Sequence, residues 1–317
     1  MRVLVTGAQG YKGSVLVPKL IHAGHEVVGV DIGWFGENLQ PDLRLQTIRA
    51  DFRTVAIPEA IDAVIHLAGI ANDPCGDLDA RLTWEVNALG TYEFARRCIK
   101  ARVKRFIFAS SASVYGIKDN VPVTEDAEFA PVSDYNKTKM VAERLLSTLD
   151  GEIEVQVVRP ATICGVSPRQ RLDVIVNLLT VQALEKGEIT AHVGAHGGQL
   201  MRPHMHIEDV ADLYLWLLAN PEHKGPFNAA SENQTVAQTA GIIASTIPCV
   251  IKFTETVDKR SYAVDFSRLQ RAGFKPRRTV ADAITDLAEA WRARRIKRTP
   301  MSVNLEWMRS NNWARAA

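Results

Sequence analysis

Short runs of β-branched and aliphatic residues recur along the first half of the chain, at Val3 to Thr6, Val27 to Val30, Thr47 to Arg49, Ala63 to Leu67, Arg105 to Ala109 and Val155 to Val158. Most are separated by stretches whose apolar residues return every three or four positions, the spacing of one helix face. Two of these stretches, Asp77 to Ala101 and Tyr135 to Leu149, are long enough to cross a sheet face. Alternation of strand and helix implies right-handed crossovers and a parallel sheet covered on both sides, so the expected fold class is α/β, doubly wound. After Val158 the pattern loses its regularity. Arg159 to Gly165 leads into a mixed region with Pro168, a helix around Val174 to Lys186, and a Gly/His-rich loop from Gly194 to Gly198. Internal repeats, low-complexity tracts and Ser/Gly linkers are absent. A smaller, mixed C-terminal lobe should therefore grow out of the first domain by insertion and extension.

The first strand runs into Gly7-Ala8-Gln9-Gly10-Tyr11-Lys12-Gly13 and then into an apolar-periodic segment through Val15, Leu16, Leu20 and Ile21. Three spaced glycines are a loose pattern alone; placed between a strand and a helix they match the dinucleotide fingerprint of a Rossmann-type sheet. Without a Cβ at Gly7 and Gly10, backbone can approach a pyrophosphate whose charge faces the helix N-terminus. The second strand ends in Asp31, about 20 residues further on, where a carboxylate suits a ribose diol and repels a 2′-phosphate. The expected cofactor is NAD. An ordinary turn carboxylate would also stand at this strand end; the glycines before it favour the ribose. On this basis residues 1–165 are expected to form the NAD-binding domain, with a return of about 204–230, and 166–317 mainly the substrate-binding lobe and C-terminal helices.

The most informative chemistry lies at the start of the second long helix, in Ser133-Asp134-Tyr135-Asn136-Lys137-Thr138-Lys139. Tyr135 and Lys139 share one helix face. A free phenol has a pKa of about 10, and a fixed cation nearby would lower it enough to take and return a proton. The same spacing also describes a Lys stem packed along an aromatic ring. Ligands of open α/β sheets bind beyond the carboxyl ends of the strands, and two such ends carry His66-Leu67-Ala68-Gly69 and Ser110-Ser111-Ala112-Ser113-Val114-Tyr115-Gly116. Ser111 could share the transferred proton with Tyr135, or simply bond local backbone. Hydroxyl, phenol, ammonium and nicotinamide together suit oxidation of a secondary alcohol.

These motifs jointly resemble the extended short-chain dehydrogenase/reductase family, within it the NAD-dependent epimerase/dehydratase group acting on nucleotide sugars. Thr6 to Gly13 is similar to its TGxxGxxG, His66 to Gly69 to its H-L-A-A, Ser110 to Gly116 to its S-S-x-x-V-Y-G, and Tyr135 to Lys139 to its Y-x-x-x-K. Arg202 with His206-Ile207-Glu208-Asp209-Val210 is similar to R-x-x-x-H-V-x-D-V, and Phe227-Asn228 to a Y/F-N strand. The resemblance implies Tyr135 as acid/base, Lys139 on the nicotinamide ribose, and Ser111 on the reacting oxygen. It implies a cofactor lined by Gly7, Gly10, Tyr11, Lys12, Gly13, Asp31, Ile32, Asp51, Phe52, Leu67, Ala68 and Gly69. Substrate contacts would come from Ser111, Ser113, Thr162 and Arg202, whose guanidinium suits a diphosphate. Dehydratases of the family carry Asp-Glu where this chain has Ala112-Ser113, which disfavours elimination, and its decarboxylases tend to carry Glu at Ser113. A 4-epimerase remains the leading expectation. A nucleotide-sugar oxidoreductase such as a 4-keto reductase is the alternative, and a non-enzymatic NAD-binding sensor a third. Lys12 and the pair Thr162 and Cys164 depart from the usual residues; Lys12 would add a cation near the pyrophosphate or, the reading slightly favoured, point to solvent, and the substrate need not be the commonest UDP-hexose.

Composition narrows the partners. The chain of 317 residues is 46% hydrophobic and 23% charged, with a formal net charge of +2, too little to argue for nucleic acid or an anionic membrane. Basic residues gather only at Arg292, Arg294, Arg295, Lys297 and Arg298, read as a solvated helix face or an oligomer contact. Cys75, Cys98, Cys164 and Cys249 are dispersed, with neither disulfide nor zinc spacing. No signal-peptide core or spanning apolar run is present, so a cytoplasmic, metal-free enzyme is expected, homodimeric through the two long helices as its relatives commonly are.

Overall fold

The computed structural model describes residues 1–118, 121–194, 197–256 and 261–311. In chain order its strands are β1 (Arg2–Thr6), β2 (Glu26–Asp31), β3 (Leu45–Arg49), β4 (Ala63–His66), β5 (Arg105–Ala109), β6 (Pro122–Val123), β7 (Glu154–Pro160), β8 (Thr162–Cys164), β9 (Glu188–Val193), β10 (Met201–His206), β11 (Phe227–Ala229), β12 (Glu232–Thr235), β13 (Val250–Glu255) and β14 (Ala263–Val264). Its α-helices are α1 (Gly13–His22), α2 (Asp73–Gly76), α3 (Ala80–Trp84), α4 (Thr91–Lys100), α5 (Asp134–Ser147), α6 (Ile175–Lys186), α7 (Ile207–Ala219), α8 (Val236–Thr246), α9 (Ser267–Arg271), α10 (Val280–Arg292) and α11 (Asn304–Ser310).

Seven strands form one parallel sheet in the order β11-β7-β5-β4-β1-β2-β3. The order reverses at β1, which places the crevice at the carboxyl ends of β1 and β4. Strands β1, β4 and β5 are buried on both faces, which is why their sequences are continuous apolar runs instead of alternating ones. One face is covered by α1 and α7, with Leu16, Leu20, Leu213 and Tyr214 in its core; the other carries Phe94, Phe106, Phe108, Ala142 and Leu146. The α/β sheet expected from the alternation is therefore present.

The helix expected from Asp77 to Ala101 is broken. Asp79 caps α3 by accepting from Leu82 N at 2.9 Å. A π-helical turn over Glu85–Gly90 then precedes α4. Asn87 lies within that turn and is drawn to the loop after β4, where its side chain accepts from Ile70 N (2.8 Å) and donates to Ile70 O (2.9 Å). Gly90 permits the widened turn, since a Cβ there would stand 2.8 Å from Glu85 O. Helix α5 begins one residue before the expected start, capped by Ser133, whose hydroxyl accepts from Asn136 N at 3.2 Å.

Beyond β7 the chain builds smaller sheets: β12-β10-β8, the parallel pair β13-β9, and β14-β6. A separate apolar cluster around Leu179, Ile189, Ile243 and Ile284 holds α6, α8 and α10 together. The chain returns to the main sheet through α7 and β11. Residues 299–310 then cross back to the first lobe, where Trp307 Nε1 donates to Trp34 O at 2.6 Å and Leu172 N donates to Ser302 O at 2.8 Å. Arg292, Arg294, Arg295 and Lys297 are exposed, and Arg298 pairs with Glu185 at 3.0 Å. Part of the Gly194 to Gly198 loop, residues 195–196, lies outside the described residues. Among the described residues no helix is long and apolar enough to cross a membrane, and no cluster of His, Cys, Asp or Glu could hold a metal.

Candidate active site

A cavity of about 540 Å³ opens at the carboxyl ends of β1, β2, β4 and β5. Its floor is the glycine turn. Gly7 adopts φ +69°, and a Cβ there would meet Ala68 N at 2.8 Å; a Cβ at Gly13 would stand 2.3 Å from Gly7 O and 2.6 Å from Ala8 O. The turn is closed by Gly7 N to Val30 O (2.8 Å) and Gly10 N to Gly7 O (3.1 Å). Helix α1 follows with no side chain capping its N-terminus, so its dipole faces a phosphate, while Ser14 N already donates to Gly10 O (2.9 Å) and Val15 N to Lys12 O (3.2 Å). Gly13→Ala should therefore overpack the turn, destabilising the fold by ~1–3 kcal/mol and weakening NADH binding; thermal unfolding and NADH titration check both.

Asp31 sits beside this turn, its carboxylate accepting from Gly33 N (2.8 Å) and Gln9 N (3.0 Å). Burial raises its pKa, and those two amides oppose the rise. Its wall continues through Ile32, Asp51, Phe52, Leu67, Ala68 and Gly69. Asp51 is engaged by Arg53 through Nε (2.9 Å) and Nη2 (2.6 Å). The Phe52 ring packs edge-on against His66, 4.7 Å between centroids. His66 itself is a structural residue: Nδ1 meets Thr6 Oγ1 at 2.7 Å, Nε2 meets Thr91 Oγ1 at 3.1 Å, and burial drives its pKa well below the ordinary value. Tyr11 lines the cavity while its hydroxyl donates to Gly165 O (2.8 Å) and accepts from Asn177 (3.0 Å).

At the far end Ser111, Ser113, Tyr135, Thr162 and Arg202 face the same space. Ser111 ends the strand segment and caps a 3₁₀ turn over Ala112–Tyr115. Its hydroxyl acts to lower the pKa of the Tyr135 phenol and lies 2.7 Å from Ser113 Oγ, which in turn donates to Asn136 Oδ1. Ser111 and Ser113 thus form a hydroxyl pair that reaches Asn136 at the start of α5. Arg202 Nη1 donates to Met201 O at 3.0 Å. Cys164 faces the core and donates to Met205 O at 3.6 Å, away from the cavity.

Two expectations need correction. Lys12 does not point to solvent: it lines the cavity, and burial lowers its pKa to about 8, helped by Arg171. The second is the expected lowering of the Tyr135 phenol by Lys139. Lys139 stands behind the cavity wall, its ammonium donating to Ala109 O at 2.9 Å over the Phe108 ring, with its pKa lowered to about 7 by burial and by Lys12. Burial raises the Tyr135 phenol to about 12, opposed by the bond from Ser111, and Asp73 adds to the rise. Tyrosine and lysine share a helix face, but the lysine is spent on a strand-end carbonyl.

Several wall residues carry no spacing signal: Trp34, Phe35, Asp73, Arg169, Arg171 and Asn304. Arg171 and Asp173 pair at 2.8 Å. The cluster Arg169-Gln170-Arg171 just after Pro168 was the one available clue, two cations in a loop following a strand end.

Comparison with known proteins agrees with this geometry. The chain is 24% identical to the UDP-glucose 4-epimerase of Lactobacillus helveticus over 92% of its own length and 96% of that protein's. Its fold matches MoeE5 in complex with UDP-glucuronic acid and NAD (TM-score 0.79, 29% identity, 93% of this chain and 100% of that one). It also matches a UDP-glucuronic acid 4-epimerase from Bacillus cereus in complex with NAD (TM-score 0.81, 25% identity, 92% and 99%). The model of the NAD dependent epimerase/dehydratase family matches residues 3–230, and the chain, an enzyme whose cofactor is NAD, belongs to that family.

Proposed function

We propose that the protein is a nucleotide-sugar epimerase that works by transient oxidation of a sugar secondary alcohol, at C4. The observation that carries this reading is the meeting of the Ser111–Tyr135 hydroxyl pair and the glycine turn in one cavity, with Arg202 on its wall. Tyr135 takes the alcohol proton and gives it back, and Ser111 holds the reacting oxygen. Bound NAD supplies reversible acceptance of hydride from the sugar carbon, and its positive charge favours the phenolate. Gly7, Gly10 and Gly13 hold its pyrophosphate, and Asp31 its adenosine ribose. Arg202 pairs with the sugar nucleotide's diphosphate. Ala112 and Ser113 supply no acid for loss of water, which separates the reading from a dehydratase.

The test is incubation with UDP-sugars, followed by NMR of the sugar and absorbance of NADH together. Interconversion of 4-epimers without net NADH is the expected result. Steady NADH formation or consumption would instead make the protein a net oxidoreductase.

A further inference from the structure

Arg169 is 4% exposed, yet among the described residues no carboxylate is in hydrogen-bond contact with it. Its Nη2 donates to Asn304 Oδ1 at 2.6 Å and to Met301 O at 3.2 Å, its guanidinium lies 3.9 Å from the Phe35 ring centroid, and its Nη1 has no partner among the described residues. All the acceptors are neutral, and burial lowers the pKa of the group to about 10, with Arg171 adding to the fall. Asp173 opposes that fall from a distance, but a buried guanidinium with no carboxylate in direct contact is costly. Its position suggests what supplies one. Arg169 N donates to Ser14 Oγ at 3.3 Å, in the first turn of α1, and Ser14 Oγ meets Ser167 Oγ at 2.9 Å. The side chain therefore lies on the cavity wall next to the uncapped helix N-terminus and within electrostatic reach of Asp31.

The residues that hold it come from the far end of the chain. Asn304 opens α11, its backbone N donating to Asp173 Oδ2 at 3.0 Å, and Met308 of the same helix lines the cavity. With Trp307 bonded to Trp34 O, segment 299–310 ties the Trp34-Phe35 loop to the Arg169–Asp173 loop across the cofactor end of the cavity.

We propose that Arg169 supplies the counter-charge for the dinucleotide's pyrophosphate, and that α11 is a strap which holds that guanidinium in place and so sets how long the cofactor stays bound. The proposal rests on the assignment of this cavity to NAD. It adds to the glycine turn a cation from the second half of the chain, and it gives the C-terminal helix a role in cofactor retention.

Displacement of bound NADH, followed by its fluorescence, gives dissociation constants for NAD, ADP-ribose and adenosine. Arg169→Met should weaken NAD and ADP-ribose by about 10- to 100-fold, the range for loss of one charge-assisted contact, and leave adenosine within about 2-fold. Asn304→Ala, which keeps the charge and loosens its seat, should weaken the two pyrophosphate ligands by about 3- to 10-fold and carries the test should Arg169→Met fail to fold. Unchanged affinities in both variants, or equal losses for adenosine, would overturn the proposal while leaving NAD binding intact. Failure of the unsubstituted protein to bind NADH would overturn the assignment of the cavity instead.

Discussion

Tyr135→Phe should lower turnover by about 10²- to 10⁴-fold, the contribution of a positioned acid/base, while NADH binding stays within about 2-fold of the parent. The backbone contact does not involve the hydroxyl: the position of a Cβ at Gly76 is 3.0 Å from Tyr135 Cβ, so the first turn of α5 is set against α2 with or without it. What disappears is the phenol that lines the cavity beside Ser111. Epimer interconversion assayed in parallel with NADH titration separates the two effects. Retained turnover would remove Tyr135 from the chemistry. Loss of turnover and binding together would mean that the substitution had collapsed the cavity, which an unfolding curve would reveal.

The second large effect is on stability. Glu143, two turns beyond Tyr135 on α5, is 7% exposed and accepts from Arg159 of β7 at Nε (3.1 Å) and Nη2 (2.6 Å), and from Ser110 Oγ. Arg159 Nη1 also donates to Tyr115 Oη (2.7 Å) and Glu125 O (2.8 Å), and Tyr115 Oη donates to Asn228 Oδ1 (2.7 Å). Glu143→Ala leaves that guanidinium buried and unpaired, so it should cost ~3–5 kcal/mol. Neutralising both partners, Glu143→Leu with Arg159→Met, should cost less than the sum of the single changes, because neither leaves a lone charge. Denaturant unfolding of the four proteins in the cycle measures the coupling, and additive losses would refute it. The pair fixes α5 against β5 and β7, so it also aims Tyr135.

How much of this was legible in the chain differs by element. The strands β1, β2, β4 and β5 announced themselves because strands buried on both faces must be apolar throughout, and the turn from Gly7 to Gly13 because only glycine fits where a Cβ would strike backbone. Those constraints are local, so spacing records them. The helix from Asp77 to Ala101 misled because its apolar period continues through the π turn, whereas the cause of the turn is Asn87 reaching back to Ile70, a contact that periodicity does not encode. Tyr135 and Lys139 were correctly placed on one face. Spacing could not tell that Ala109 O would claim the ammonium, nor that burial would raise the phenol. Arg169 and Asn304 stand 135 positions apart, and no rule of spacing joins a loop after β8 to a helix near residue 304.

That long reach has a consequence for biosynthesis. Gly7 and Met308 border the same cavity, and at a translation speed of about 5–20 residues per second the glycine turn is synthesised about 15–60 s before Met308 is added. Throughout that interval a nascent chain can fold its first strands but has no finished wall around the nucleotide. If α11 retains the cofactor as proposed, firm capture of the dinucleotide waits until the final turn of that helix has been made.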